Sequence, residues 1–203
     1  MTSSKLAEMS TCNGAVQKYN ELFNAIEYLR EYPTPKVDVE IGTARGGTFW
    51  LWCQMAEIDA QIISIDLPSG DFGGGYSFEQ QEYFSSFGKL QQSLHFIRSD
   101  SYLTKTELAR TKILGENKID LLFIDGDRGL DSVSDDYYRY SKYVNKDGLI
   151  IFHDIVEHPN VPHCNVKDLW ESLKSKKIRK EFIDDEDDDR GGQWGEIGIL
   201  INN

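Results

Sequence analysis

Val37-Asp38-Val39-Glu40-Ile41-Gly42-Thr43-Ala44-Arg45-Gly46-Gly47-Thr48 decides the fold of this chain. Val37, Val39 and Ile41 alternate with Asp38 and Glu40, the two-residue period of a strand. Glycines at 42, 46 and 47 break the pattern, and Thr48-Phe49-Trp50-Leu51-Trp52-Cys53 resumes as an apolar run suited to the first turns of a buried helix. Strand, glycine turn and helix open a nucleotide-binding α/β unit. Glycine lets the backbone approach a ligand because no Cβ intervenes, and the helix N-terminus offers unpaired N–H groups to an anion. The same glycines would also serve a tight strand-to-helix corner.

Outward from this stretch, strands alternate with helices. Before it, Val16, Tyr19, Leu22, Phe23, Ile26 and Leu29 recur at helical spacing over Ala15 to Tyr32, and Pro33-Thr34-Pro35 ends that helix. After it, Gln61 to Asp66 is a second strand closed by an acid, about 20 residues past the glycine turn, where α/β nucleotide folds hold ribose hydroxyls. A carboxylate can accept two O–H bonds from a cis-diol; the alternative is that Asp66 caps the next turn. Pro68 to Tyr76 is glycine-rich, either a lid over a ligand or a plain connection. Ser77 caps a helix reaching Leu90. Leu94 to Arg98 is a third strand, and Leu103 to Leu114 a helix for which Ser101 is a candidate N-cap.

Ile119 to Asp127 carries the apolar run of a doubly covered parallel strand and ends in Asp125-Gly126-Asp127. Asp131 to Val144 is helical, Asn145 to Gly148 a turn, and Leu149 to Phe152 a fifth strand ending in His153-Asp154. A helix over Val166 to Lys174 and strands over Ile178 to Ile183 and Trp194 to Ile201 complete the pattern. The acidic run Asp184 to Asp189 reads as a solvated hairpin tip. His158, His163 and Cys164 near His153 match no zinc ligand spacing.

The 203 residues suit one domain over 15–203, preceded by a flexible arm over 1–14. No apolar run approaches a membrane span, and the polar start carries no signal core. Three widely spaced cysteines read as free thiols, so the expected compartment is the cytoplasm. The formal net charge of −12 and the lack of any basic patch beyond Lys174-Ser175-Lys176-Lys177 argue against nucleic acid. The expected partner is a small-molecule acceptor, with a homodimer the one protein assembly entertained.

Glu40-x-Gly42-x-x-x-Gly46 resembles motif I of the class I S-adenosylmethionine-dependent methyltransferases. Phe123 to Asp127, Asp147 to Ile155 and Trp194 to Leu200 narrow the likeness to the group of macrocin-type sugar O-methyltransferases and cephalosporin-hydroxylase-like proteins. The resemblance covers roughly residues 37–201. It implies a Rossmann-like doubly wound, mostly parallel seven-stranded sheet with a reversed final strand. It also implies S-adenosylmethionine at Glu40, Gly42, Thr43, Ala44, Arg45, Gly46, Gly47 and Asp66, with Asp100 and Ser101 near the adenine and Asp125 at the inner edge. In metal-using relatives the positions of Asp125, His153 and Asp154 hold a divalent ion, usually Mg²⁺; the same three would face the acceptor and serve catalysis.

Two departures stand out. His153 replaces an acid, which leaves it as ligand, base or buried hydrogen-bonding residue. Arg128 stands where relatives carry a candidate base, and arginine cannot be one at neutral pH; it could instead bind an anionic group. Asp125 and Asp154 end adjacent strands and are expected to converge, on an ion or a shared proton. The implied reaction is methyl transfer to an oxygen of a small hydroxylated metabolite, a sugar among the candidates. The alternative is a catalytically lapsed protein that keeps the cofactor fold. The Gly-x-Gly-x-x-Gly of a nicotinamide enzyme is absent.

Overall fold

The computed structural model describes residues 1–68, 74–157, 161–173, 179–184 and 195–203. In chain order its elements are α1 (Ser3–Cys12), α2 (Tyr19–Leu29), β1 (Val37–Ile41), α3 (Gly47–Met55), β2 (Gln61–Asp66), α4 (Phe78–Phe84), β3 (Ser93–Arg98), α5 (Thr104–Leu114), β4 (Ile119–Ile124), α6 (Leu130–Tyr140), β5 (Val144–His153), α7 (Val166–Leu173), β6 (Arg179–Phe182) and β7 (Ile197–Ile201). The strands form one sheet in the order β3-β2-β1-β4-β5-β7-β6. β1 to β5 pair in parallel, while β7 is antiparallel to both β5 and β6. This is the expected Rossmann-like sheet with its reversed final strand. The strand order turns back between β1 and β4, the switch point at which open α/β sheets bind ligands.

Both faces of the sheet are covered. Val37, Val39 and Ile41 meet Val133, Tyr137 and Tyr140 of α6 on one side. On the other, Leu121 and Phe123 meet Leu22 and Ile26 of α2 and Leu51 and Trp52 of α3. Asp38 and Glu40 do point opposite to the valines, but the face they reach is also buried. α3 is apolar around its circumference because it is enclosed, with residues 47–53 all buried. Ser77 caps α4 as expected, in a capping box with Gln80.

Residues 1–14 are not an arm in this structure. They carry α1, whose Leu6, Ala7 and Ser10 are buried, and the Ser10 hydroxyl donates to the Gly47 carbonyl at 3.0 Å. A face made of small and polar residues is weak as a sequence signal, yet it fits closely against α3. The following helix starts at Tyr19 rather than Ala15. Residues 15–18 run past the glycine turn instead, with the Ala15 N–H donating to the Ser10 carbonyl at 3.0 Å. β5 absorbs the expected turn at 145–148, where Asp147 takes φ +64° and the pairing with β4 shifts register. The helix after Asp100 is capped at Leu103, not Ser101. Residues 69–73, the basic stretch 174–177, the acidic stretch 185–189, His158 and Trp194 lie outside the described residues. Among the described residues no helix is long and apolar enough to cross a membrane.

A Cβ on Gly47 would overlap the Ala15 backbone nitrogen and crowd the Ser10 carbonyl, whereas one on Gly74 would meet nothing within 4 Å. Gly47→Ala should therefore cost about 1–3 kcal/mol or more in urea unfolding. Gly74→Ala should stay within about 0.5 kcal/mol of the wild type. Equal midpoints for the two variants would contradict the packing of α1 on α3.

Candidate functional site

The carboxyl ends of β3, β2, β1 and β4 open on a cavity of about 590 Å³, within the size range of ligand pockets. Its wall includes Gly42, Ala44, Asp66, Ser99, Asp100, Ser101, Asp125, Gly126 and Asp136.

The glycine turn owes its shape to protein contacts. Gly42 has φ +88°, and a Cβ there would overlap the Asp125 carbonyl. The two ends are also laced by hydrogen bonds, Gly42 N–H to Ile65 O at 2.9 Å and Asp125 N–H to Ile41 O at 2.8 Å. Gly46, at φ +85°, packs so closely on the Phe84 ring that a Cβ would collide with it. The N-terminus of α3 is consequently covered by Phe84 and the α1–α2 connection, not turned to the cavity. Gly46, Gly47, Thr43 and Arg45 lie off the wall: Thr43 is buried with its Oγ1 2.7 Å from Ser64 Oγ, and Arg45 is exposed.

Asp66 holds this turn. One carboxylate oxygen accepts the N–H groups of Thr43 and Ala44 at 2.8 and 2.7 Å, and the other accepts Leu67 N–H at 2.7 Å. Burial raises its pKa against the lowering effect of those N–H groups. Asp66 thus ties Thr43, Ala44 and Leu67 together and also lies on the cavity wall.

Glu40 sits beneath the turn and off the wall. It is fully buried, and its Oε1 accepts the Trp52 indole N–H at 3.0 Å. Burial, only partly offset by hydrogen bonds from Thr48, Thr43 and Trp52, pushes its pKa up to about 8. Glu40 leaves β1 on the face opposite Ile41, and Ile41 is the β1 residue on the cavity wall.

At the far edge, Ile124 pairs with Phe152, so Asp125 and His153 emerge side by side. His153 Nδ1 lies 3.3 Å from Asp125 Oδ1 and 3.4 Å from Asp154 Oδ2. Asp125, His153 and Asp154 each offer a donor atom, all within 4.8 Å of one another. The expected convergence is therefore present. Asp154 takes φ +62°, an uncommon conformation for a non-glycine residue, to turn its carboxylate in. Arg128 Nε ion-pairs with Asp154 Oδ2. Burial works to lower the His153 pKa, but Asp154 and Asp125 outweigh it and hold it well above its usual value. The cluster is thus a buried set of alternating charges, with Asp125, at 14% side-chain exposure, its way out to the cavity.

Several participants carried no sequence signal. Gln17 donates to Asp125 Oδ2 at 2.7 Å, and Glu21 Oε1 lies 3.5 Å from His153 Nε2. Glu196, at φ +74°, accepts Asp184 N–H at 2.6 Å and faces Lys18 Nζ at 3.8 Å. These residues reach the strand ends only through the path of the α1–α2 connection and the start of β7. His163 lines the cavity, and the metal-capable group found among the described residues is Asp125, His153 and Asp154.

A family model described as a methyltransferase domain matches residues 39–155. The chain belongs to that family. An uncharacterized protein of Acanthamoeba polyphaga mimivirus is 35% identical over 122 residues, 59% of this chain and 52% of that protein. This chain therefore matches about half the length of that relative. Among solved structures, the O-methyltransferase TomG from Streptomyces achromogenes, in complex with SAM, aligns over 100% of this chain and 90% of its own at TM-score 0.61 and 16% identity. The MycE methyltransferase of the mycinamycin biosynthetic pathway, with Mg and SAH, aligns over 100% of this chain and 55% of its own at TM-score 0.64 and 14% identity. At such identities the structural likeness establishes the fold.

Glu40 generates a pH prediction. Its folded pKa of about 8 lies above the ordinary value of 4.5, so between these pH values the folded state binds more protons than the unfolded one. The stabilisation is full below the ordinary pKa and is lost as pH rises from there through the folded one, at up to about 1.4 kcal/mol per pH unit. Urea titrations at pH 6 and pH 8 should show Glu40→Gln losing less stability over that interval than the wild type. An identical loss would contradict a buried, protonated Glu40.

Proposed function

We propose that this protein moves the methyl group of S-adenosylmethionine to an oxygen of a small hydroxylated acceptor. The observation that carries this reading is the continuity of the cavity, which runs from Asp100 and Ser101 past Asp66 and Gly42 to Asp125, the exposed member of a carboxylate–imidazole cluster. Membership of the methyltransferase-domain family and the methyltransferases among its structural neighbours support it.

The cavity suits a cation. Asp66, Asp100, Asp125, Asp127 and Asp136 all line it, which favours a sulfonium and an ammonium over a pyrophosphate. Asp66 would accept from the ribose hydroxyls with the lone pairs its backbone donors leave over. Asp100 and Ser101 would take the adenine end. Ala44 and Gly42 would lie under the ribose and methionine parts.

Transfer is an in-line displacement at carbon, for which the protein supplies alignment and a deprotonated acceptor. Asp125 would meet the acceptor hydroxyl, since it alone of the three reaches the cavity. His153, held protonated between two carboxylates, would orient them rather than take the proton. Gln17 would fix Asp125 from behind. The donor set also fits a divalent ion, with two carboxylates and an imidazole converging within 4.8 Å. Mg²⁺ would be held by Asp125, Asp154 and a His153 imidazole that has given up its Nδ1 proton, in place of the Arg128 pairing with Asp154. Such an ion would make a bound acceptor hydroxyl more acidic.

A second reading, a protein that binds the cofactor without transferring the methyl, is favoured by one observation: Arg128 already neutralises Asp154. An acceptor screen distinguishes the two. Asp154→Asn should abolish transfer while leaving S-adenosylmethionine affinity within about two-fold, because Asp154 does not line the cavity. Asp66→Ala should weaken that affinity by about 1–3 kcal/mol in calorimetry, through loss of a charged hydrogen-bond acceptor. Unchanged affinity in Asp66→Ala would refute the ribose assignment. Retained transfer in Asp154→Asn would refute the role of the cluster.

A further inference from the structure

The cluster behind Asp125 carries its own competitor for a divalent ion. Asp154 is 1% exposed and turns its two oxygens to different places. Oδ2 faces the cluster, 3.4 Å from His153 Nδ1, and Asp125 Oδ1 stands 3.3 Å from the same nitrogen. Oδ1 of Asp154 lies toward residue 195, where a Cβ built on Gly195 would stand 3.8 Å from it. The oxygen that converges with Asp125 and His153 is therefore Oδ2. It is also the oxygen that Arg128 Nε already holds.

The arginine is tethered at its backbone and open at its head. Its carbonyl accepts the Asn165 N–H at 2.8 Å. The turn that follows is tied down by Asp127, which accepts the Gly129 N–H at 3.0 Å and the Ser132 hydroxyl at 2.8 Å. The side chain, by contrast, is 37% exposed and stands on the cavity wall. A fixed backbone keeps the guanidinium close to Asp154, and a short tether of this kind acts as a local concentration on the order of millimolar. A free ion has to displace that standing cation. Two cations drawn to one oxygen repel each other, so each weakens the other's hold.

Building on the reading of Asp125, His153 and Asp154 as a seat for a divalent ion, we propose that Arg128 is a built-in cation that competes with the ion for Asp154 and so sets how much ion the site requires. With the guanidinium in place, the buried carboxylate is neutralised without an ion. With an ion in place, the guanidinium turns out along the cavity wall, where Asp127 offers it another carboxylate. Ion and arginine are then linked: whatever loosens one on Asp154 strengthens the other. A salt bridge that served only to hold the loop after β4 would carry no such linkage.

Calorimetry with Mn²⁺ on the full chain, at one fixed pH, tests this. A chain of net charge −12 offers Mn²⁺ other acids as well, so the affinity of the cluster is the part lost when Asp154→Asn is added to each protein. Arg128→Gln should bind Mn²⁺ at the cluster about 10-fold more tightly than the wild type or better, the scale on which charged hydrogen-bonded pairs act. Arg128→Lys keeps the charge without the Nε contact and should fall between the two. It carries the test if thermal melting shows that Arg128→Gln does not fold. Equal cluster affinity in the wild type and the variants, or no Mn²⁺ binding lost with Asp154→Asn in any of them, overturns the proposal. S-adenosylhomocysteine titrated into the same samples separates this failure from that of the cofactor reading. A wild type that binds it while the Mn²⁺ affinities match loses only the competition at Asp154. A wild type that does not bind it overturns the cofactor reading, and the Mn²⁺ comparison still decides the role of Arg128.

Discussion

Gly42 stands where no side chain can. Its Cβ position is taken by the carbonyl of Asp125, and the paired hydrogen bonds Gly42 N–H to Ile65 O and Asp125 N–H to Ile41 O bind three strand ends together. Much of the site follows from this close approach. It places the end of β4 directly beside the glycine turn, so that Asp125 opens on the same cavity as Ala44 and Asp66. Through the β4–β5 register it also sets Asp125 beside His153. A larger residue at position 42 would pry the first strand from the fourth and separate the glycine-turn end of the cavity from the acid cluster.

Charge is the second constraint. Carboxylates crowd the strand ends, and the protein answers them in two ways. Where a basic group is at hand it is used: Arg128 on Asp154, His153 between Asp154 and Asp125, which raise its pKa, and Lys18 toward Glu196. Where none is, burial raises the pKa, as at Glu40 and Asp136. The acids that stay open on the cavity give it a field suited to a cationic ligand.

Much of this was legible in the sequence, and the limits have physical causes. Alternating β and α patterns disclosed the sheet, because doubly covered strands such as Leu121 to Ile124 are unmistakable apolar runs. The convergence of Asp125 and Asp154 followed from their being at the ends of adjacent strands. The burial of Glu40 was not legible, because alternation along β1 distinguishes two faces but not which of them meets the cavity. The packing role of the glycines could not be read from the sequence, because close approach to a ligand and close approach to Phe84 or Ala15 require the same residue. α1 was missed because Leu6, Ala7 and Ser10 form a face too small and polar to register as amphipathic. Gln17, Glu21 and Glu196 could not have been found, since tertiary paths alone bring them to the ends of the strands that carry Asp125 and His153.

A crystal structure of the chain grown with S-adenosylhomocysteine tests the central claim most directly. The account predicts the ligand along the carboxyl ends of β3, β2, β1 and β4, with its ribose hydroxyls within hydrogen-bonding distance of Asp66 and its sulfur toward Asp125. Ligand density anywhere else on the molecule, or an empty cavity at saturating ligand, would contradict it.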